Sequence, residues 1–317
     1  MRGDTLETTT PAAVDYQGWA LSRHEPAEVS QPHDLLFVHG MAGGSWVWTE
    51  EWLARFTDAG YRCWTLTLPG RGSGPTAASD PGAVGRAVLR AVENEDARGV
   101  VEAIAAALPG TPLFDGPDLG DYTDALTEAL AAIGTPTVVV GHSLGGAVAQ
   151  NLLRRGTRPA GTVLLCSAPP YGLWRASMEM AFTNPQLWRA LFAYSLFGLA
   201  AVDLEVMRRN LFPGGIEQGQ FLRMLTRLTD ESLAATARTR GFPPFAPLPG
   251  PRADILVIGG GQDRLVPPLD IHLTGMYYAT RPRSVEGAGH MPMFEPQSYR
   301  QTANFILDWL PRLTPHR

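Results

Sequence analysis

The sequence predicts an α/β protein: a mostly parallel central sheet, helices on both faces, and an inserted helical cap. Three observations carry this. Strand-like and helix-like segments alternate along most of the 317 residues, the pattern of a parallel sheet joined by crossover helices. Several strands are near-continuous apolar runs, such as Thr162–Cys166 (TVLLC) and the ILVIG run from Ile255, as expected when both sheet faces are covered. The alternation stops at residues 171–240, where the pattern turns helical, aromatic and Met-rich. The expected partition is a core domain of residues 1–170 and 251–317 and a cap of residues 171–250. A length of 317 residues suits either about two domains or one large domain with an insertion.

In chain order, the polar first ten residues are expected to be loose. Val14 to Leu21 reads as an edge strand, and Asp34–Val38 (DLLFV) as a short buried one. A helix is expected over Ser45–Ala59, because Trp48, Trp52 and Phe56 recur at i, i+4 and i+8 on one face. Gly60 is its candidate C-cap. Tyr61–Leu68 is the next strand, followed by the loop Pro69–Pro75. Helices are expected near Pro81–Glu93, Ala97–Ala107 and Asp121–Ile133, with residues 76–135 a possible second wall to the site. Thr137–Val140 is a β-branched strand running into Gly141-His142-Ser143-Leu144-Gly145 and a helix to about Arg155. After the 171–240 insertion, Gly241–Pro251 (GFPPFAPLPGP) reads as a stiff connector. Strands return at Ile255–Ile258 and Arg281–Val285, and Gln301–Leu313 closes the chain as a helix.

Composition removes several function classes. All 26 basic residues are arginine and the net charge is −5, whereas a nucleic-acid-binding protein usually carries a basic stripe. The stretch MRGDTLETTTPAAVDYQG holds no apolar core of a signal peptide. The longest apolar run, Leu191–Val202, has 12 residues, against about 20 for a membrane span. A cytoplasmic protein without stable membrane association is the expectation. The two cysteines, Cys63 and Cys166, lie in strand-like apolar contexts and should be buried, reduced thiols. No Cys/His cluster has zinc-ligand spacing. Gly40–Gly44 lacks the Lys-Ser/Thr ending of a phosphate loop, and Gly259–Gly261 lacks dinucleotide-loop context. No metal and no cofactor is therefore expected.

Gly141-His142-Ser143-Leu144-Gly145 matches G-x-S-x-G. With 34 glycines, chance alone would give about 0.14 such pentapeptides in the chain, so the context has to decide. That context, an apolar strand before and a helical pattern after, is what a nucleophile elbow requires. The tight turn projects the hydroxyl and aims the following N–H groups at one spot. The bland alternative is a serine that caps the helix.

These residues resemble the α/β-hydrolase superfamily over roughly residues 14–170 and 251–313. The resemblance implies the order serine, acid, histidine. Gly287-Ala288-Gly289-His290 resembles the family's histidine loop, which makes His290 the candidate base; the alternative is a surface loop histidine. Gly259-Gly260-Gly261-Gln262-Asp263 resembles the acid loop, which makes Asp263 the candidate partner of His290. An Asx-turn or a surface pair with Arg264 is the alternative for Asp263. The acid follows the serine by 120 residues and precedes the histidine by 27, room for a strand, a cap and another strand in the first gap and a helix and a strand in the second. His39-Gly40-Met41 resembles the family's His-Gly loop. By resemblance the backbone N–H groups of Met41 and Leu144 would form the oxyanion hole, with His39 tying the loop down. The HGGG run of lipases is absent, and Thr67-Leu68 stand where many relatives carry an aspartate.

The implied chemistry is a metal-free serine hydrolase acting on an ester, thioester or lactone of an apolar small molecule. A serine also argues against relatives that use an aspartate nucleophile. Two alternatives stay open at this level: an acyltransferase, lyase or cyclase using the same residues, and a small-molecule receptor with little turnover. Trp174, Met178, Met180, Phe182, Trp188, Phe192, Tyr194 and Phe197 would either wall the site or form the cap's own core. The oligomeric state is not legible.

Overall fold

A computed structural model describes residues 14–16, 18–71, 116–197, 202–241, 243–252 and 254–313. The helices expected near Pro81–Glu93 and Ala97–Ala107, and most of the proposed second wall, lie outside these residues. Elements below are numbered among the described residues. The strands are β1 (Val14–Tyr16), β2 (Trp19–His24), β3 (Asp34–Val38), β4 (Cys63–Thr67), β5 (Thr137–His142), β6 (Gly161–Leu165), β7 (Ile255–Gly260) and β8 (Arg283–Val285). They form one eight-stranded sheet in the order β1-β2-β4-β3-β5-β6-β7-β8. β1, β2 and β4 pair antiparallel; every pairing from β4 through β3 to β8 is parallel. The single edge strand expected over Val14–Leu21 is instead a hairpin, because Gly18 turns the chain at φ 94°.

The apolar strands divide their side chains between two cores, as a two-residue period demands. Leu36 and Val38 of β3 and Val139 of β5 face one layer, with α2 (Leu119–Ile133), α3 (Leu144–Arg154) and α9 (Pro268–Tyr277). Leu35, Phe37, Val138 and Val140 face the other, with α1 (Glu50–Thr57) and α10 (Tyr299–Leu307). The helix expected over Ser45–Ala59 breaks at Thr49, whose side chain accepts from the Trp52 N–H at 3.2 Å and restarts the helix as α1. Trp48, Trp52 and Phe56 are nonetheless all buried in one cluster.

Between β6 and β7 the described residues form five helices: α4 (Trp174–Thr183), α5 (Pro185–Phe197), α6 (Leu204–Leu211), α7 (Gln218–Leu225) and α8 (Leu233–Arg238). Their entry and exit strands cross in backbone contact. The Leu173 N–H donates to the Thr239 carbonyl at 3.0 Å. A Cβ on Gly172 would overlap the Arg240 carbonyl, and one on Gly241 the Tyr171 carbonyl. No described helix is long and apolar enough to cross a membrane.

The sheet positions the site at its switch point. β3 pairs with β4 on one side and β5 on the other, so the chain leaves their C-terminal ends in opposite directions and opens a crevice. Gly145, in the first turn of α3, closes its floor: a Cβ there would collide with the carbonyls of Val38 and His39. Gly145→Ala should therefore cost about 1–3 kcal/mol, the usual range for overpacking a dense interior. A urea denaturation midpoint equal to that of the wild type would contradict this packing.

Candidate active site

Ser143 sits between β5 and α3 at φ 53°, ψ −113°. Such positive φ is uncommon for a non-glycine residue and persists only where the surroundings hold it. Here the Ser143 N–H donates to the Leu165 carbonyl at 3.0 Å, and its carbonyl accepts from Gly146 and Ala168 at 3.1 and 3.2 Å. The hydroxyl does not cap α3. It meets His290 Nε2 at 2.9 Å.

His290 follows β8 and is buried. Its Nδ1 lies 2.8 Å from Asp263 Oδ2. The carboxylate can only accept, so Nδ1 carries the hydrogen and the Nε2 lone pair faces the serine. The other Asp263 oxygen accepts from the Leu265 and Val266 N–H groups at 2.8 and 3.0 Å. Asp263 thus makes the turn that its loop suggests and also holds the imidazole. The structure brings Ser143, His290 and Asp263 from the ends of β5, β8 and β7 into one hydrogen-bonded line.

The loop after β3 lies against the elbow. A Cβ on Gly40 would stand 3.0 Å from Ser143 Cβ, so glycine is what lets the Met41 backbone approach the serine. Leu144 opens α3, where the helix supplies no carbonyl for its N–H. His39 ties this loop to β4: Nδ1–H donates to the Gly40 carbonyl at 2.8 Å, and Nε2 accepts from the Leu68 N–H at 3.0 Å. His142 donates from Nε2 to the His290 carbonyl at 2.8 Å. Burial pushes the pKa of both His39 and His142 down to about 3, with Arg71 adding to the effect on His39 and His290 to that on His142.

A cavity of about 360 Å³ opens onto Ser143 and His290. Met180, Trp188, Phe192 and Tyr194 line it, together with Met41 and Trp46. Trp174, Met178 and Phe182 instead project to solvent, Phe182 at 82% exposure; they sit on the outer side of α4. Phe197's side chain lies outside the described set. One described cluster could offer three metal-ligating atoms: Cys166, Asp263 and His290. The carboxylate and imidazole are committed to each other, and burial pushes the Cys166 thiol well up, away from the thiolate that binds metals. Both cysteines are free and buried.

Sequence reasoning missed a buried acid beside the loop after β3. Glu231, between α7 and α8, pairs with Arg71 and accepts from the Ala42 N–H at 3.2 Å. No local motif marks it.

A sequence profile described as the alpha/beta hydrolase family matches residues 35–302, and the chain belongs to that family. It is 29% identical over 158 residues to a probable esterase, PIR7A, of Oryza sativa, a match covering 50% of the chain and 46% of that relative. The chain thus spans about half the length of the curated relatives it matches. Among solved structures, an N-acyl homoserine lactonase complexed with N-hexanoyl homoserine superposes with a TM-score of 0.63 at 16% identity, covering 97% of this chain and 98% of that one. An esterase from Exiguobacterium antarcticum gives 0.60 at 13%, covering 92% and 95%. At these identities the likeness is one of fold.

Burial of His39 and His142 makes stability depend on pH. Their folded-state pKa lies below the unfolded value of 6.5, so between pH 6.5 and 3 the unfolded chain binds protons that the native one refuses. The stabilisation is complete above pH 6.5 and lost as pH falls toward 3. With about 1.4 kcal/mol per pH unit per group, stability should drop by roughly 2–4 kcal/mol between pH 7 and 5. Equal urea midpoints at the two pH values would contradict neutral burial of this pair.

Proposed function

We propose that the protein is a serine hydrolase that cleaves an ester, thioester or lactone of an apolar small molecule through an acyl-enzyme. The carrying observation is the imidazole of His290, 2.8 Å from Asp263 at one nitrogen and 2.9 Å from Ser143 Oγ at the other. The family, and the esterase and lactonase among its relatives, support the same reading.

In this reading His290 Nε2 takes the serine proton as Oγ attacks the substrate carbonyl, and Asp263 stabilises the imidazolium that forms. The Met41 and Leu144 N–H groups receive the developing oxyanion. His290 then protonates the leaving group and activates the water that releases the acyl chain. Residues 171–250 act as a cap over a core of residues 1–170 and 251–317. The largely apolar cavity they help enclose takes the acyl or alcohol part of the substrate, with no cofactor involved.

Ser143→Ala should lower kcat by about 10⁴–10⁶-fold while KM stays within a few-fold; wild-type turnover in the folded variant would remove Ser143 from the mechanism. Across p-nitrophenyl esters, kcat/KM should rise from acetyl to hexanoyl, by up to about fourfold per added methylene if each is fully buried. A preference for acetyl would exclude the cavity as the acyl site.

A further inference from the structure

The oxyanion loop is gripped from the helical insertion by a buried ion pair. Arg71, just past β4, and Glu231 pair with side chains only 2% and 1% exposed. The Glu231 carboxylate also accepts from the Tyr122 hydroxyl at 2.6 Å and from the Ser232 N–H at 3.1 Å. Its remaining bond, at 3.2 Å, is to the backbone N–H of Ala42. The Ala42 carbonyl in turn accepts from the Thr229 N–H at 3.1 Å. Both backbone groups of Ala42 are therefore held by residues 229–231. Ala42 itself stands at φ 60°, a conformation an alanine keeps only where its neighbours impose it.

The gripping segment is itself fixed. Arg71 Nη1 donates to Thr229 Oγ1 at 2.8 Å and to the Asp230 carbonyl at 2.7 Å. The Tyr194 hydroxyl donates to the Thr229 carbonyl at 3.0 Å. Burial opposes the charge on Arg71, but Glu231 together with the Tyr122 and Tyr194 hydroxyls offsets it and holds the guanidinium above its ordinary range. Buried ion pairs often add little stability over apolar residues of similar volume, so stability alone does not account for a carboxylate at this place.

We infer that Glu231 is a positioning residue: anchored by Arg71 and Tyr122, it fixes Ala42 and thereby the direction of the adjoining Met41 N–H toward the substrate oxyanion. This rests on the serine-hydrolase reading above. Docking of residues 229–231 and formation of the oxyanion loop are then a single event.

The test compares wild type, Ser143→Ala, Glu231→Gln and the double variant Arg71→Met/Glu231→Leu on p-nitrophenyl hexanoate. The double variant replaces the pair with apolar residues and leaves no unpaired charge. Its kcat should fall about 10–100-fold, less than or comparable to removing an oxyanion donor outright, with KM within about threefold. A trifluoromethyl ketone of the same acyl chain, which forms a tetrahedral oxyanion on the serine, should weaken by the same factor as kcat. Glu231→Gln keeps an oxygen for Ala42 and should restore most of kcat. If the double variant does not fold, Glu231→Asp replaces it with the same expectation, its shorter arm keeping the charge but withdrawing from Ala42. A folded variant with kcat and ketone affinity within twofold of wild type, while Ser143→Ala is inactive, overturns the inference alone. Unchanged turnover in Ser143→Ala removes the hydrolase reading and the inference with it.

Discussion

The site depends on one imidazole that bonds in two directions. His290 reaches Asp263 with one nitrogen and Ser143 with the other, and these three residues come from three different strand ends. Such a line holds only if the strands keep their register and the loops cannot drift. The parallel ladder β5-β6-β7-β8 supplies the register. The loop ends are fixed separately: the His290 N–H donates to the Leu211 carbonyl at 3.1 Å, and buried Glu295 accepts from the Gly289 N–H at 3.0 Å. The Leu211 contact comes from the helical insertion, which therefore braces the loop carrying His290 as well as the loop after β3.

Burial does the electrostatic part. His39 and His142 are held neutral by the interior and serve as hydrogen-bond struts, each with its tautomer set by the carbonyl it donates to. Asp263 in the same interior is satisfied by two N–H groups and the imidazole of His290. One histidine thus lies between Asp263 and the serine while its neighbours stay inert, an outcome of partner placement rather than of residue type.

Much of this was legible because the signals are local. A glycine-flanked serine after an apolar strand declares itself within a few residues, and the Gly-rich loops ending in Asp263 and His290 were legible through their resemblance to the family's acid and histidine loops. The two-core sheet was legible from runs such as DLLFV, whose alternate residues serve opposite faces. What escaped depends on distant contacts. Glu231 lies 160 residues from Arg71 and 189 from Ala42, and nothing near it in sequence marks it. The aromatic stretch of the insertion did not say which face it turns inward: Met180 and Tyr194 line the cavity while Trp174 and Phe182 face solvent. Thr49, a single capping side chain, broke a helix that apolar periodicity ran straight through.

If the fold activates Ser143 as a nucleophile, treatment with a small fluorophosphonate should leave one covalent adduct on the wild type and none on Ser143→Ala, read by intact mass. A folded wild-type protein that stays unlabelled, or a variant labelled equally, would contradict that activation.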